Sequence, residues 1–176
     1  ERIFAHLQQV LEGSAHTPLM GDSPINPETE AMLLKIYSSY PWQTVFREKH
    51  KAVFNRIQEA ETNLSLWTVF NAAYEKKDDQ KIYELWHANR LVLERFPLSK
   101  DQKSSVMEAE KSFKKMEEVR FLVKERRSLE SLIDWWQKNL RFQRSTFRNQ
   151  SVEGLSIESH INRAHLQLER LHQIQE

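Results

Sequence analysis

Two Glu-x-x-His motifs are the residues of this chain whose types and spacing best fit metal chemistry. They are Glu84-Leu-Trp-His87 and Glu169-Arg-Leu-His172. In four-helix carboxylate proteins, two such motifs and one glutamate from each of the other two helices hold a di-metal centre inside the bundle. Glu59 and Glu125 are candidates for the remaining pair of glutamates.

The position of the first motif on its predicted helix argues against such a centre. At about 100° per residue, Glu84 and His87 project opposite the apolar stripe that begins with Ile82 and Leu85. Metal ligands in a bundle must project inward. We therefore predict that these side chains lie on the surface, and we expect no metal and no other cofactor.

Other catalytic patterns are missing from the sequence. The chain has no cysteine, which excludes disulfides, cysteine nucleophiles, iron–sulfur clusters and thiolate zinc sites. It has no glycine-rich phosphate loop, no His-Glu-x-x-His motif and no serine in a nucleophile elbow. His50 falls in an apolar seam, where we expect a partly buried histidine with a hydrogen-bond partner. The sequence predicts no catalytic residues and a protein that is not an enzyme.

Aromatic residues near position 140 are more informative. Trp135 and Phe142 are seven residues apart. On a helix they project more than about 100° away from the apolar seam formed by Leu129, Ile133 and Leu140. A second apolar stripe means either that the helix is buried on two sides or that one side binds a partner. Both alternatives stay open at this point.

Basic residues follow the same segment. Residues 138–148 contain four cations and no acidic residue; the cations are Lys138, Arg141, Arg144 and Arg148. Cations interleaved with Phe142 and Phe147 have the composition to bind a phosphate backbone and stack on bases. Cations also accumulate at helix C-termini, where they offset the helix dipole, and they fit an acidic protein partner equally well.

The composition indicates which fold positions these residues. The 176 residues include only 3 Gly and 5 Pro, with 29% charged and 39% apolar residues, whereas an average chain of this length holds roughly 12 Gly and 9 Pro. Turn-rich sandwiches and barrels are therefore excluded, and an all-α fold is predicted. The formal net charge is +1, so no overall field attracts nucleic acid or anionic lipid. No apolar run is long enough to span a membrane, and together with the absence of cysteine this leads us to expect a cytoplasmic protein.

Glycine and proline divide the chain. Five of the eight lie in residues 13–27, which we predict to be a linker between a short N-terminal helix, residues 1–12, and a helical bundle, residues 28–176. Because the chain begins with Glu1 and not with methionine, we expect it to be part of a larger protein.

Local signals predict where the helices begin and end. Asn26 precedes a proline at the first helical position, and the helix that it caps is expected to end at Pro41. Asp78 or Asp79 is expected to cap the helix that begins directly after it. Residues 100–147 contain no Gly or Pro and predict either one long helix or two helices with a break near 126–128. A last helix follows Gly154.

Taken together, these patterns predict an elongated antiparallel bundle of about five or six helices, with coiled-coil-like packing around one long helix. The predicted function is a non-enzymatic protein–protein interaction or scaffold module; the alternative is a helical protein that binds nucleic acid through residues 138–148. Heptad seams also permit a homo-oligomer. The candidate partner-binding residues are Trp135, Lys138, Arg141, Phe142, Arg144 and Arg148.

Overall fold

The structure is a computed structural model that describes residues 23–39, 51–125 and 128–175. These ranges form six α-helices, two short 3-10 turns and one two-stranded hairpin. The helices are α1 (Pro27–Ser38), α2 (Lys51–Glu75), α3 (Asp79–Leu93), α4 (Lys100–Lys124), α5 (Leu129–Lys138) and α6 (Ile157–Gln175). The 3-10 turns are Phe142–Arg144 and Thr146–Asn149, and the strands are β1 (Ser151–Val152) and β2 (Leu155–Ser156). The predicted all-α helical bundle is confirmed.

Several sequence predictions fall outside the described residues. They concern the helix at 1–12, most of the linker at 13–27 and the burial of His50. The division of the chain into 1–12, 13–27 and 28–176 therefore stays a prediction. The helix expected to end at Pro41 ends earlier, at Ser38. Within the described ranges, no helix combines the length and apolar character that crossing a bilayer requires.

The described residues group into two compact units. The first contains the residues up to Ala72 together with Ala88–Ser99, and the second contains Ala73–His87 together with the residues from Lys100 onward. Each unit has its own buried cluster of apolar side chains.

Two predicted helix caps are confirmed. The Asn26 side chain accepts a hydrogen bond from the Glu28 amide at 2.9 Å, and Pro27 is the first residue of α1. The Asp78 carboxylate accepts from the Lys81 amide at 3.0 Å and so caps α3.

A buried ion pair joins α1 to α2 in the first unit. Glu30 is 2% exposed, and Arg56 binds its carboxylate with two nitrogens of the guanidinium. The hydrogen bond to Glu30 raises the pKa of Arg56 and outweighs the burial of the guanidinium, which by itself would lower that pKa. Asn63, which is also buried, lies 3.5 Å from the same carboxylate. The pair sits beside a core made of Leu33, Ile57 and Ala60.

The stretch 100–147 is not one helix. α4 ends at Lys124 and α5 begins at Leu129, and Ser128 caps α5 by accepting from the Ser131 amide at 3.2 Å. Of the two alternatives open from the sequence, the break near 126–128 is the one observed. The serine cap provides its local cause, because a serine at this position satisfies an otherwise unpaired amide of the first turn.

The helix also ends earlier than the apolar pattern predicted. α5 stops at Lys138, and Asn139 has the non-helical angles φ −113° and ψ 52°. Beyond this point the 100° spacing no longer decides which side chains are buried. Leu140, predicted to be in the core, is 66% exposed, whereas Phe142, predicted to project away from it, is 2% exposed. The prediction for Leu140 was wrong because it assumed a continuous helix, whereas the burial of Phe142 agrees with one of the two alternatives that the sequence left open.

Aromatic rings fill the core of the second unit. Phe147 is buried and lies edge-on to Tyr83 and Phe113, with ring centroids 6.0 Å apart in both cases. The Tyr83 and Phe113 rings stack with centroids 4.0 Å apart. The neighbouring Thr146 hydroxyl donates to the Asp78 carboxylate at 3.0 Å and accepts from the Gln80 amide at 2.9 Å. The segment after α5 is therefore tied to the start of α3.

The hairpin before α6 was not predicted from the sequence. Val152 pairs with Leu155 in an antiparallel register, and the two residues between them have positive φ angles, 49° for Glu153 and 84° for Gly154. Two positive φ angles in a two-residue loop are typical of a type I′ turn, for which glycine is favoured. Gly154, expected only to separate helices, provides this turn, and Ser156 then caps α6 through the Ser159 amide at 3.1 Å.

We expect Arg56→Met to lower the free energy of unfolding by about 3–5 kcal/mol, because the buried carboxylate of Glu30 then has no cationic partner. Chemical denaturation followed by circular dichroism measures the loss. The double variant Glu30→Gln/Arg56→Met removes the unpaired charge and should recover most of the stability. Equal losses in the single and double variants would contradict this account of the pair.

We expect Phe142→Ala to lower the free energy of unfolding by about 3–5 kcal/mol, as large-to-small changes in a core do. Leu140→Ala, two residues away on the surface, should change it by less than about 0.5 kcal/mol. Thermal denaturation of both variants tests whether Phe142 is the buried side chain and Leu140 the exposed one. Similar losses for the two would show that the chain after α5 follows another path.

Candidate partner-binding groove

Three of the six candidate residues line one groove in the second unit. Lys138, Arg141 and Phe142 form one wall together with Asn139 and Leu140, and α4 provides the other wall. The α4 residues in it are Glu108, Lys111, Ser112, Lys114, Lys115 and Glu118. The volume is about 460 Å³. We call this feature the basic groove.

Apolar groups lie at its centre and on its edge. The Phe142 ring packs edge-on against Trp135, with centroids 5.2 Å apart, and against Trp136, with centroids 6.4 Å apart. It is thus part of the core and presents little surface, so of the two alternatives that the sequence left open for Phe142, the structure favours burial. Leu140 is the exposed apolar side chain of the groove.

The groove carries five cationic side chains and two carboxylates. Glu108 accepts from Lys111 at 3.2 Å and from Arg141 at 2.9 Å. The Arg141 side chain remains 76% exposed, whereas that of Glu108 is 22% exposed. Because a guanidinium has five N–H donors and this ion pair uses one nitrogen, Arg141 retains donors toward solvent.

Glu118 is the second carboxylate. It accepts from Lys115 at 2.7 Å and from the Trp135 indole Nε1 at 3.2 Å. Partial burial opposes the ionisation of Glu118, but the hydrogen bonds from Lys115 and Trp135 outweigh it and lower the pKa of the carboxylate. Trp135 is half-buried, and its indole is hydrogen-bonded to Glu118 of the groove. The sequence left open whether this side chain is buried or faces a partner, and the structure places it between these two alternatives.

The remaining basic candidates do not form a line on a helix face, because residues 139–150 are not α-helical. Lys138 pairs with Asp134 at 2.7 Å. Arg148 donates to the Gln143 carbonyl at 2.7 Å and lies 3.6 Å from the Glu158 carboxylate.

Arg144 is exposed. Among the ion pairs of the described residues none involves its side chain. The four basic residues of segment 138–148 are thus separated: Lys138, Arg141 and Arg148 belong to different ion pairs, and Arg144 lies apart from them.

The two Glu-x-x-His motifs lie on the surface, as predicted. Glu84, His87, Glu169 and His172 are all exposed. The described part of the chain contains no group of three or more histidine, aspartate and glutamate side chains placed to hold a metal ion.

Sequence reasoning missed the α4 wall of the groove. Three lysines, Lys111, Lys114 and Lys115, fall within five residues, and this local cluster was a visible signal. Its pairing with the segment after α5 was not visible, because that depends on the path of the chain beyond Lys138. A neighbouring cleft of about 470 Å³ was missed as well; it shares Glu108 and Arg141 with the groove and is lined by Glu75, Asp79 and Asp101.

Comparison of the chain with protein-family models, with curated proteins and with solved structures gave no significant match.

The pairing of Glu118 with Trp135 predicts a pH response. A carboxylate with a lowered pKa in the folded state stabilises the fold above its unfolded pKa, about 4.3 for glutamate, and this contribution is lost as the pH falls through the folded value. With 48% of the Glu118 side chain exposed, the change in stability should be small. The NMR signal of the Trp135 indole N–H should nevertheless shift as Glu118 is protonated.

The matched control is Glu118→Gln, which keeps a hydrogen-bond acceptor without a titrating charge. In this variant the indole signal should stay constant over the same acidic range. An unchanged titration in Glu118→Gln would mean that another group causes it.

Proposed function

We propose that this chain is a non-enzymatic protein-interaction module and that the basic groove is the surface that binds the partner. The observation that carries the proposal is the exposure of Leu140, a large aliphatic side chain, among five cations. A lone exposed leucine is ordinary. A leucine beside a groove with charged edges matches the usual plan of an interface, in which an apolar anchor is surrounded by a polar rim.

The charges support a partner over a purely structural role. Exposed ion pairs contribute about 0–1 kcal/mol to stability, so the fold gains little from five cations around this groove. Charges at an interface rim mainly set the rate of association and the choice of partner. An excess of cations favours a partner segment with carboxylates.

Nucleic acid is the rival partner, and two observations weigh against it. Base stacking needs an exposed aromatic face, but Phe142 and Phe147, the aromatic residues of the basic segment, are 2% and 1% exposed. Glu108 and Glu118 also lie in the groove, where they repel a continuous row of phosphates. A peptide carries discrete charges that can avoid both carboxylates.

Photo-cross-linking tests the proposal directly. A benzoylphenylalanine at position 140 should capture a protein, whereas the same group at position 91 should not. Leu91 is the matched control because it is 82% exposed and belongs to the first unit. A captured species that is sensitive to nuclease would instead favour the nucleic-acid alternative.

The captured protein is then purified, and its affinity for this chain should depend on the cations of the basic groove. We expect Lys114→Glu/Lys138→Glu to weaken its affinity at least about tenfold, or ~1.4 kcal/mol, with an unchanged melting temperature. Lys81→Glu/Lys103→Glu is the control, because both lysines are exposed and neither lines the groove. Equal affinity for the two double variants, or no capture at position 140, would overturn the proposed function.

A further inference from the structure

The cations of the basic groove are arranged in two rows. Lys111, Lys114 and Lys115 lie on α4, and Lys138 and Arg141 lie on the opposite wall, with Leu140 beside them. Residues three and four apart on a helix are about 5–6 Å apart at Cβ, so the α4 row covers one helical turn. Cations thus lie on both walls of the groove, and Leu140 is exposed on the wall that carries Lys138 and Arg141.

From this arrangement we propose that the partner segment is an acidic amphipathic helix, an inference that rests on the proposed function of the groove. Its apolar stripe contacts Leu140, and acidic residues on both sides of the stripe meet the two rows of cations. A helix with its side chains is about 10–12 Å wide, whereas the groove has a volume of only about 460 Å³. The helix therefore lies along the opening and inserts side chains into it.

Arg141 is the cation best placed to bind a partner carboxylate. Its Nη2 atom is held by Glu108, while three quarters of the side chain is exposed. The pair with Glu108 fixes the position of the guanidinium before binding, which reduces the entropy lost when a second carboxylate binds. Planar guanidinium groups also bind carboxylates through two parallel hydrogen bonds.

The neighbouring carboxylates limit where the segment binds. The neighbouring cleft, which shares Glu108 and Arg141 with the groove, is lined by Glu75, Asp79 and Asp101 and by one further cation, Lys77, so carboxylates outnumber cations in it. An acidic helix that extended into this cleft would bring like charges together. This repulsion directs the acidic residues toward Lys114 and Lys138, since specificity arises from unfavourable contacts as well as favourable ones.

Three synthetic peptides of identical composition test the proposal by fluorescence anisotropy. In the first, glutamates flank a leucine stripe with helical spacing; in the second, the glutamates are moved to the opposite face; in the third, the order is scrambled so that no stripe forms. The first peptide should bind at least about tenfold more tightly than the other two. Leu140→Ser should reduce that preference without changing the melting temperature.

Charge reversal provides the decisive control. The first peptide should bind the variant Lys114→Glu/Lys138→Glu no more tightly than the other two peptides do. A peptide with lysines in place of the flanking glutamates should bind this variant more tightly than it binds the unmodified protein. Equal binding of the three acidic peptides, or tighter binding of a single-stranded oligonucleotide, would overturn the proposal. The captured protein can still depend on Lys114 and Lys138 when the three acidic peptides bind equally. That result would exclude only the acidic helix as the partner segment, and the proposed function would stand.

Discussion

Burial of the Phe142 and Phe147 rings is the constraint on which the second unit depends. Two aromatic side chains in the segment after α5 enter a core shared with α4, α5 and α6. For both to do so, the chain must leave the α-helix at Lys138 and continue as 3-10 turns. Burying two large rings outweighs the few helical hydrogen bonds that are lost, since full burial of one such side chain contributes about 1.5–3 kcal/mol.

The same turn of the chain creates the basic groove. When Phe142 turns inward, its neighbour Arg141 and the nearby Leu140 are left outside, facing the lysines of α4. The Thr146 hydroxyl then holds this segment to the first turn of α3 through Asp78 and the Gln80 amide. The surface that we assign to a partner is thus a consequence of how the core is filled.

Charge has different roles in the two units. In the first, Glu30 and Arg56 are paired in the interior, where removal of either partner leaves an expensive buried charge. In the second, each ion pair of the groove includes an exposed cation and contributes little to stability. In the function that we propose, these charges select the binding segment, so substitutions there should change recognition without unfolding the protein.

Local physical chemistry made much of the fold predictable. Few glycines and prolines indicated helices, and the caps at Asn26 and Asp78 were correctly predicted because a capping side chain acts on amides only two or three residues away. The break before Leu129 was also anticipated as an alternative. These features depend on near neighbours in the chain, and the sequence by itself determined them.

Tertiary structure decided the rest. Nothing in the local pattern distinguishes a helix that continues through Phe147 from one that stops at Lys138, because both bury apolar residues, though different ones. The Val152–Leu155 hairpin is too short to show strand periodicity. The meeting of Lys114 with Lys138 and Arg141 joins residues more than twenty positions apart. Distant segments of the chain compete for the same buried space. That competition decides which side chains fill the core and therefore which cations share a groove.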